Sequence, residues 1–181
     1  MRKLGTTLLI TFFALVTFGQ DLPVDAKTNL ITYTEVVTSN NMTAQELFDL
    51  GKNFCKEKGY IIKEETAGQK FEFTATFKVY YPSATSGKSD EGLITYLFYM
   101  DFKDGKYRFI LNEFVHTGTS VKNSDGGQLE NKSAACGGQK MSGRGWVTIK
   151  NKTDKKIKEL TAELKQLIKE VENDPKKSSD W

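Results

Sequence analysis

Histidine occurs once in this chain, at His116, and cysteine twice, at Cys55 and Cys136. That scarcity excludes several chemistries. A structural zinc site takes four closely spaced Cys or His ligands, which one histidine and two distant cysteines cannot supply. Two cysteines are also too few for a scaffold built on disulfides. No apolar run reaches the roughly 20 residues that cross a bilayer as a helix; the one at Leu4–Phe18 stops short. No internal repeat is present. Glycine-rich segments exist, but none has the Gly, Lys and Ser/Thr offsets of a phosphate-binding loop. No cofactor or metal is expected.

The beginning of the chain, "MRKLGTTLLITFFALVTFGQ", has the composition of an export signal. Arg2 and Lys3 precede the short apolar run, and Thr17 and Gly19 are small enough for a signal peptidase pocket. Cleavage is expected between Gly19 and Gln20, which makes 1–19 a signal peptide and leaves no stable membrane anchor. No cysteine follows the run to carry a lipid. The destination is the periplasm or the outside of the cell. The chain carries 26 basic and 23 acidic residues. Losing Arg2 and Lys3 lowers the formal charge from +3 to +1, with no global field to attract nucleic acid or an anionic membrane.

The rest has the length of one domain. Residues 20–29 form a polar lead-in. "LITYTEVVTS" (Leu30–Ser39) is β-branched and reads as a strand. Thr43 and Glu46 form a capping box for a helix running to about Lys58, where Gly59 ends it. Strands are expected at Tyr60–Ala67 and at Lys70–Tyr81, the second alternating Phe71, Phe73, Ala75, Phe77 and Val79 with polar residues. After a polar loop at Pro82–Glu91, Gly92–Phe102 and Lys106–His116 flank Asp104-Gly105, a strong hairpin signal. Gly92–Phe102 is apolar on both faces and so central. A long polar loop spans 117–145, "WVTIK" (Trp146–Lys150) reads as a short strand, and a helix follows from about Asp154 to Val171 with Ile157, Leu160, Leu164, Leu167 and Ile168 on one stripe. Residues 173–181 are expected to be a disordered tail. Consecutive strands joined by short turns pair antiparallel. The expected fold, over 30–172, is a two-layer α+β domain: an antiparallel sheet of five to six strands with two helices on one face.

"LPVDAKTNLITYTEVVTSNNMTAQELF", with "DGKYRF", "GWVTIK" and "IKELTAELKQLI" further on, resembles a family of secreted bacterial proteins of unknown function with a TBP-like fold. "ITYTEVV" at Ile31–Val37 is its most telling piece. The resemblance implies export, a bacterial setting and this sheet-plus-helices architecture. It implies no catalytic or binding residue, and a fold name carries no DNA-binding activity.

The residues themselves leave a few candidates. "SAACGGQKMSGRGW" (Ser133–Trp146) collects a cysteine, glycines, Lys140 and Arg144 in one stretch and reads as a solvated connection. Cys136 could act as a nucleophile only beside a base, and His116, at a strand end, is the one histidine that could serve. Two readings of the cysteines stay open: a disulfide between Cys55 and Cys136, or a small core residue at Cys55 and a separate thiol at Cys136. The acidic stretches at Ser89–Glu91 and Asn123–Gln128 lack the donor alternation of a calcium loop. A glycosidase pair drawn from Glu35, Glu72, Asp101 and Glu113 would need two acids facing one cleft; Glu35 shares parity with Tyr33 and Val37, which allows partial burial, but reads first as a paired or edge-exposed residue. The triplets at Asn41, Asn131 and Asn151 would matter only in a eukaryotic secretory pathway. Tyr80, Tyr81, Tyr99 and Tyr107 either expose an aromatic sheet face or pack beneath the 117–145 loop. The expectation is a non-catalytic exported module that binds a protein, peptide or glycan and not nucleic acid; the alternative is a hydrolytic enzyme whose site is assembled only by the fold.

Overall fold

The computed structural model describes residues 22–173. The expected signal peptide, the Gly19–Gln20 junction and the tail beyond Asn173 lie outside the described residues. In chain order the elements are β1 (Tyr33–Thr38), α1 (Ala44–Glu57), β2 (Glu64–Thr66), β3 (Lys70–Pro82), β4 (Ser89–Lys103), β5 (Lys106–Gly118), β6 (Gly127–Gln128) and α2 (Gly143–Glu172). The strands form one antiparallel sheet in the order β1-β5-β4-β3-β2, with β6 on the far end of β5.

Alternation decides which side of the sheet is dry. On β3, Phe71, Phe73, Ala75, Val79 and Tyr81 are buried; on β4 it is Ile94, Tyr96, Phe98, Met100 and Phe102. These side chains share one face, and both helices lie on it. Phe48 of α1 packs edge-on against Phe71 and Phe102, while Trp146 of α2 packs against His116 of β5. β4 is central, as its two apolar faces imply. α1 begins with the expected capping box, in which Thr43 and Glu46 satisfy each other's backbone N–H groups. Asp104-Gly105 turns the β4–β5 hairpin with Gly105 at φ 74°, a left-handed conformation that glycine adopts without steric cost.

β5 keeps its apolar side chains inward by means of a bulge. Tyr107, Phe109 and Leu111 face the core on one parity; Phe114 and His116 face it on the other. The register with β4 slips between Thr95 and Leu97, and Glu113 takes φ 56° at that point. One extra residue thus reverses the side-chain alternation. Phe114, brought inward, stacks on Tyr96 with ring centroids 5.4 Å apart.

Three expectations need correction. "WVTIK" is not a strand but the first part of α2. Its β-branched residues read as extended in a five-residue window, yet Trp146, Ile149, Thr153, Ile157, Leu160, Leu164, Ile168 and Val171 recur every three or four positions and are all buried. Ser142 caps this helix, accepting the Gly145 N–H at 3.1 Å, and packing of the stripe overrides local propensity. The strand expected at Tyr60–Ala67 is confined to Glu64–Thr66. The 117–145 connection is shorter and more structured than a solvated loop: β6 interrupts it, Leu129 is fully buried and Met141 nearly so.

Candidate functional site

The strongest gathering of chemistry-bearing side chains lies where the 117–145 connection folds over the end of the sheet. His116, expected at an exposed strand end, is instead fully buried. Its ring sits between Tyr81 and Trp146, both edge-on, at centroid distances of 5.3 and 6.2 Å. Nδ1 accepts the Gly126 N–H at 3.0 Å, so the ring proton is assigned to Nε2. Nε2 has no hydrogen-bond partner and faces Gly92, where a Cβ would stand 2.1 Å away. Gly126 is needed for the same close approach, since a Cβ there would meet the Trp146 ring at 2.3 Å. The Trp146 indole N–H donates to the Asn131 carbonyl at 2.9 Å and fastens the connection to α2.

This cluster cannot work as a nucleophile–base pair. Burial pushes the His116 imidazole down to about 4, opposed only weakly by Asp125, so near neutral pH the ring is uncharged and encased. Cys136, half-buried, has its thiol held above the ordinary range by desolvation, the reverse of what a reactive thiolate needs. No hydrogen bond joins Cys136 to His116 among the described residues. Both cysteines are free thiols: Cys55 lies fully buried on the inner face of α1 and is pushed up to about 12 by desolvation. A cavity of about 480 Å³ opens beside the cluster, lined by Thr85, Asp90, Gln139 and Lys140 among others, but His116 and Cys136 do not line it.

The acidic candidates do not converge either. Glu35 is exposed at the β1 edge and accepts from Lys165 of α2 at 2.8 Å. Asp101 is held by Arg108, at 2.7 Å. Glu113 occupies the bulge, and Glu72 lies across from Tyr99 on the far side of the sheet. Two carboxylates are buried against expectation, Asp90 on β4 and Asp154 on α2; the second is bonded to side chains. It accepts the Tyr33 hydroxyl at 2.9 Å and Lys158 Nζ at 2.8 Å beneath α2, and its burial signal was a place on the apolar stripe one turn before Ile157. Among the described residues no group of three or more His, Cys, Asp or Glu side chains is arranged to hold a metal ion.

The opposite face of the sheet is different. The 117–145 connection packs onto the helix side through Leu129 and through Gly126, which lies against Trp146, and reaches the other face only at its start, where Thr119 and Ser120 bond Glu91. Tyr81 and Tyr107 belong to the sealed side, whereas Tyr80 and Tyr99 are on the open one. Along β4, Leu93, Leu97 and Tyr99 are half-buried. Ile110 stands beside Tyr99 and Val115 beside Thr95; Val36 is 61% exposed. Around this stripe lie Thr76, Thr95, Lys78, Glu91, Asp101 and Arg108, in which the ion pairs Lys78–Glu91 and Arg108–Asp101 leave little net charge.

An antiparallel sheet sealed on one face by two helices, with its histidine buried as packing, is a two-layer α+β domain. Residues 33–117 match the family described as "Domain of unknown function (DUF4468) with TBP-like fold". Two solved structures are similar. A TBP-like protein from Parabacteroides distasonis aligns over 81% of this chain and 97% of its own, at 15% identity and a TM-score of 0.57. A DUF4468 family protein from Bacteroides ovatus aligns over 55% of this chain and 62% of its own, at 12% identity and a TM-score of 0.45. The chain thus spans less than two thirds of the latter protein. At such identities the likeness concerns the fold alone. No curated protein matches the sequence.

Proposed function

We propose that this chain is an exported, non-catalytic interaction module that receives a protein partner on the open face of its sheet. The observation that carries the reading is the β4-centred stripe of Leu93, Leu97 and Tyr99, flanked by Ile110, Val115 and exposed Val36, with no element of the described chain over it. Contiguous apolar surface rimmed by polar and paired charged groups is what protein interfaces use. Export rests on the composition of residues 1–19, and its test is direct: amino-terminal sequencing of the protein made in a bacterial host that secretes it should begin at Gln20.

The interaction test compares the wild-type chain with a Leu97→Lys/Tyr99→Lys variant, each immobilised and exposed to the exported fraction of the native cells. A module of this kind retains a discrete protein that the double variant releases, while Lys165→Glu on the helix side releases nothing. Retention unaffected by the double variant would overturn the open-face reading. So would hydrolysis of ester, peptide or glycoside substrates that depends on His116 or Cys136.

A further inference from the structure

The sheet has a second unfilled position, beside β3. β2 pairs with β3 only as far as Glu72, so from Thr76 to Tyr80 the outer edge of β3 carries no strand. Pairing of β3 with β4 is regular from Lys70 to Pro82, with no slip. Two contacts show which residues point their peptide groups outward: the Glu72 carbonyl accepts the Lys63 N–H at 3.1 Å, and the Tyr80 carbonyl accepts Lys152 Nζ at 2.6 Å. Both are even-numbered, and in an antiparallel ladder the direction alternates with each residue. Thr76 and Lys78 therefore present N–H and C=O outward. Among the described residues no backbone or side-chain group bonds them there.

α2 extends past this edge. Lys152, Lys155 and Lys156 stand over a groove of about 420 Å³ whose floor is the β3 edge, with Phe77 and Tyr80 among its walls. Phe77 is only half-buried although it faces the helix side, where its neighbours on β3 are buried. A strand placed next to β3 would cover it. Four lysines, counting Lys78, outweigh the groove's Glu159 and the Glu91 that pairs with Lys78.

We propose that this edge accepts an extended acidic segment of a protein partner as an added strand, its backbone pairing with Thr76 and Lys78 and its carboxylates reaching the lysines of α2. The proposal rests on the interaction-module reading and gives it a second, distinct surface. Strand addition takes its affinity from main-chain hydrogen bonds and its selectivity from the side chains above them. A second copy of this chain is a poor occupant, because edge-to-edge pairing would set Lys78 and the α2 lysines against like charges. Edge lysines of this sort also discourage unspecific aggregation, so the same charges that exclude self-pairing select an acidic strand.

The probe is a capped peptide in which glutamate alternates with valine, titrated into the uniformly labelled chain. Expected are amide shifts and slowed hydrogen exchange at Thr76 and Lys78, and binding weakened about tenfold by Lys155→Glu/Lys156→Glu or by high salt. Thr76→Pro removes an outward donor without touching the ladder to β4 and should abolish binding. Should that variant fail to fold, a peptide N-methylated on its β3-facing amides gives the same test on the native protein. Equal binding of the N-methylated peptide would mean ionic capture only and would overturn strand addition, as would no binding or shifts confined to other surfaces. The Leu97→Lys/Tyr99→Lys variant separates the two sites: it should bind the peptide normally, so loss of the peptide with an intact open-face partner removes the edge alone.

Discussion

His116 accepts the Gly126 amide at Nδ1 and presses Nε2 onto Gly92, so a second proton can enter only by breaking the Nδ1 bond. Its folded-state value of about 4 lies below the ordinary 6.5, with burial as the cause. Above pH 6.5 both folded and unfolded chains hold the ring neutral, and stability does not depend on it. As pH falls from 6.5 toward 4 the unfolded chain takes up a proton that the folded chain refuses, so stability is lost with acid. The loss from this group should approach about 3 kcal/mol. Urea unfolding at pH 7 and pH 4.5 should show it in the wild type as an excess loss that is absent in His116→Gln. The cysteines give a second residue-scale test. With a thiol reagent, Cys136 should react in the native protein and Cys55 only after unfolding, because one is half-buried and the other sealed on the inner face of α1. A chain showing no thiols in denaturant would carry the bridge instead.

At the scale of elements, α2 turns on its first two turns. Trp146→Ala removes a buried indole that touches His116 and ties the connection through Asn131, and should cost about 3–5 kcal/mol by urea unfolding. Val147→Ala, one position along and 55% exposed, should change stability by less than about 0.5 kcal/mol. The β5 bulge offers a change of opposite sign: Glu113 sits at φ 56°, so Glu113→Gly should stabilise by up to about 1 kcal/mol. Local signals made α1, the β3 alternation and the Asp104-Gly105 turn legible, since each is written within a few neighbouring residues. The bulge was hidden because "KYRFILNEFVH" reads equally well as an unbroken strand, and only the pairing with β4 forces the extra residue. The start of α2 was misread because Val147, Thr148 and Ile149 favour extended backbone until Trp146 and Ile149 find a core to enter.

At the scale of the molecule, the two faces of the sheet should answer mutation differently. Phe98, fully buried on the sealed face, should lose about 3–5 kcal/mol as Phe98→Ala, whereas its neighbour Leu97 on the open face should lose about 1 kcal/mol or less as Leu97→Ala. Similar losses at both would mean that the open face is covered as thoroughly as the other. The alternation of apolar side chains, the hairpin turn and the cap of α1 are encoded over short spans of chain, and with them came the two-layer α+β class. Tertiary structure alone decided that His116 is packing and not a base, that Glu35 meets Lys165, that the 117–145 connection packs onto the helix side, and that among the described residues one face of the sheet and the β3 edge from Thr76 to Tyr80 carry no covering element. Each of those outcomes joins residues far apart in the chain. Burial and pairing there depend on how elements stack in space, which no local pattern of residues contains.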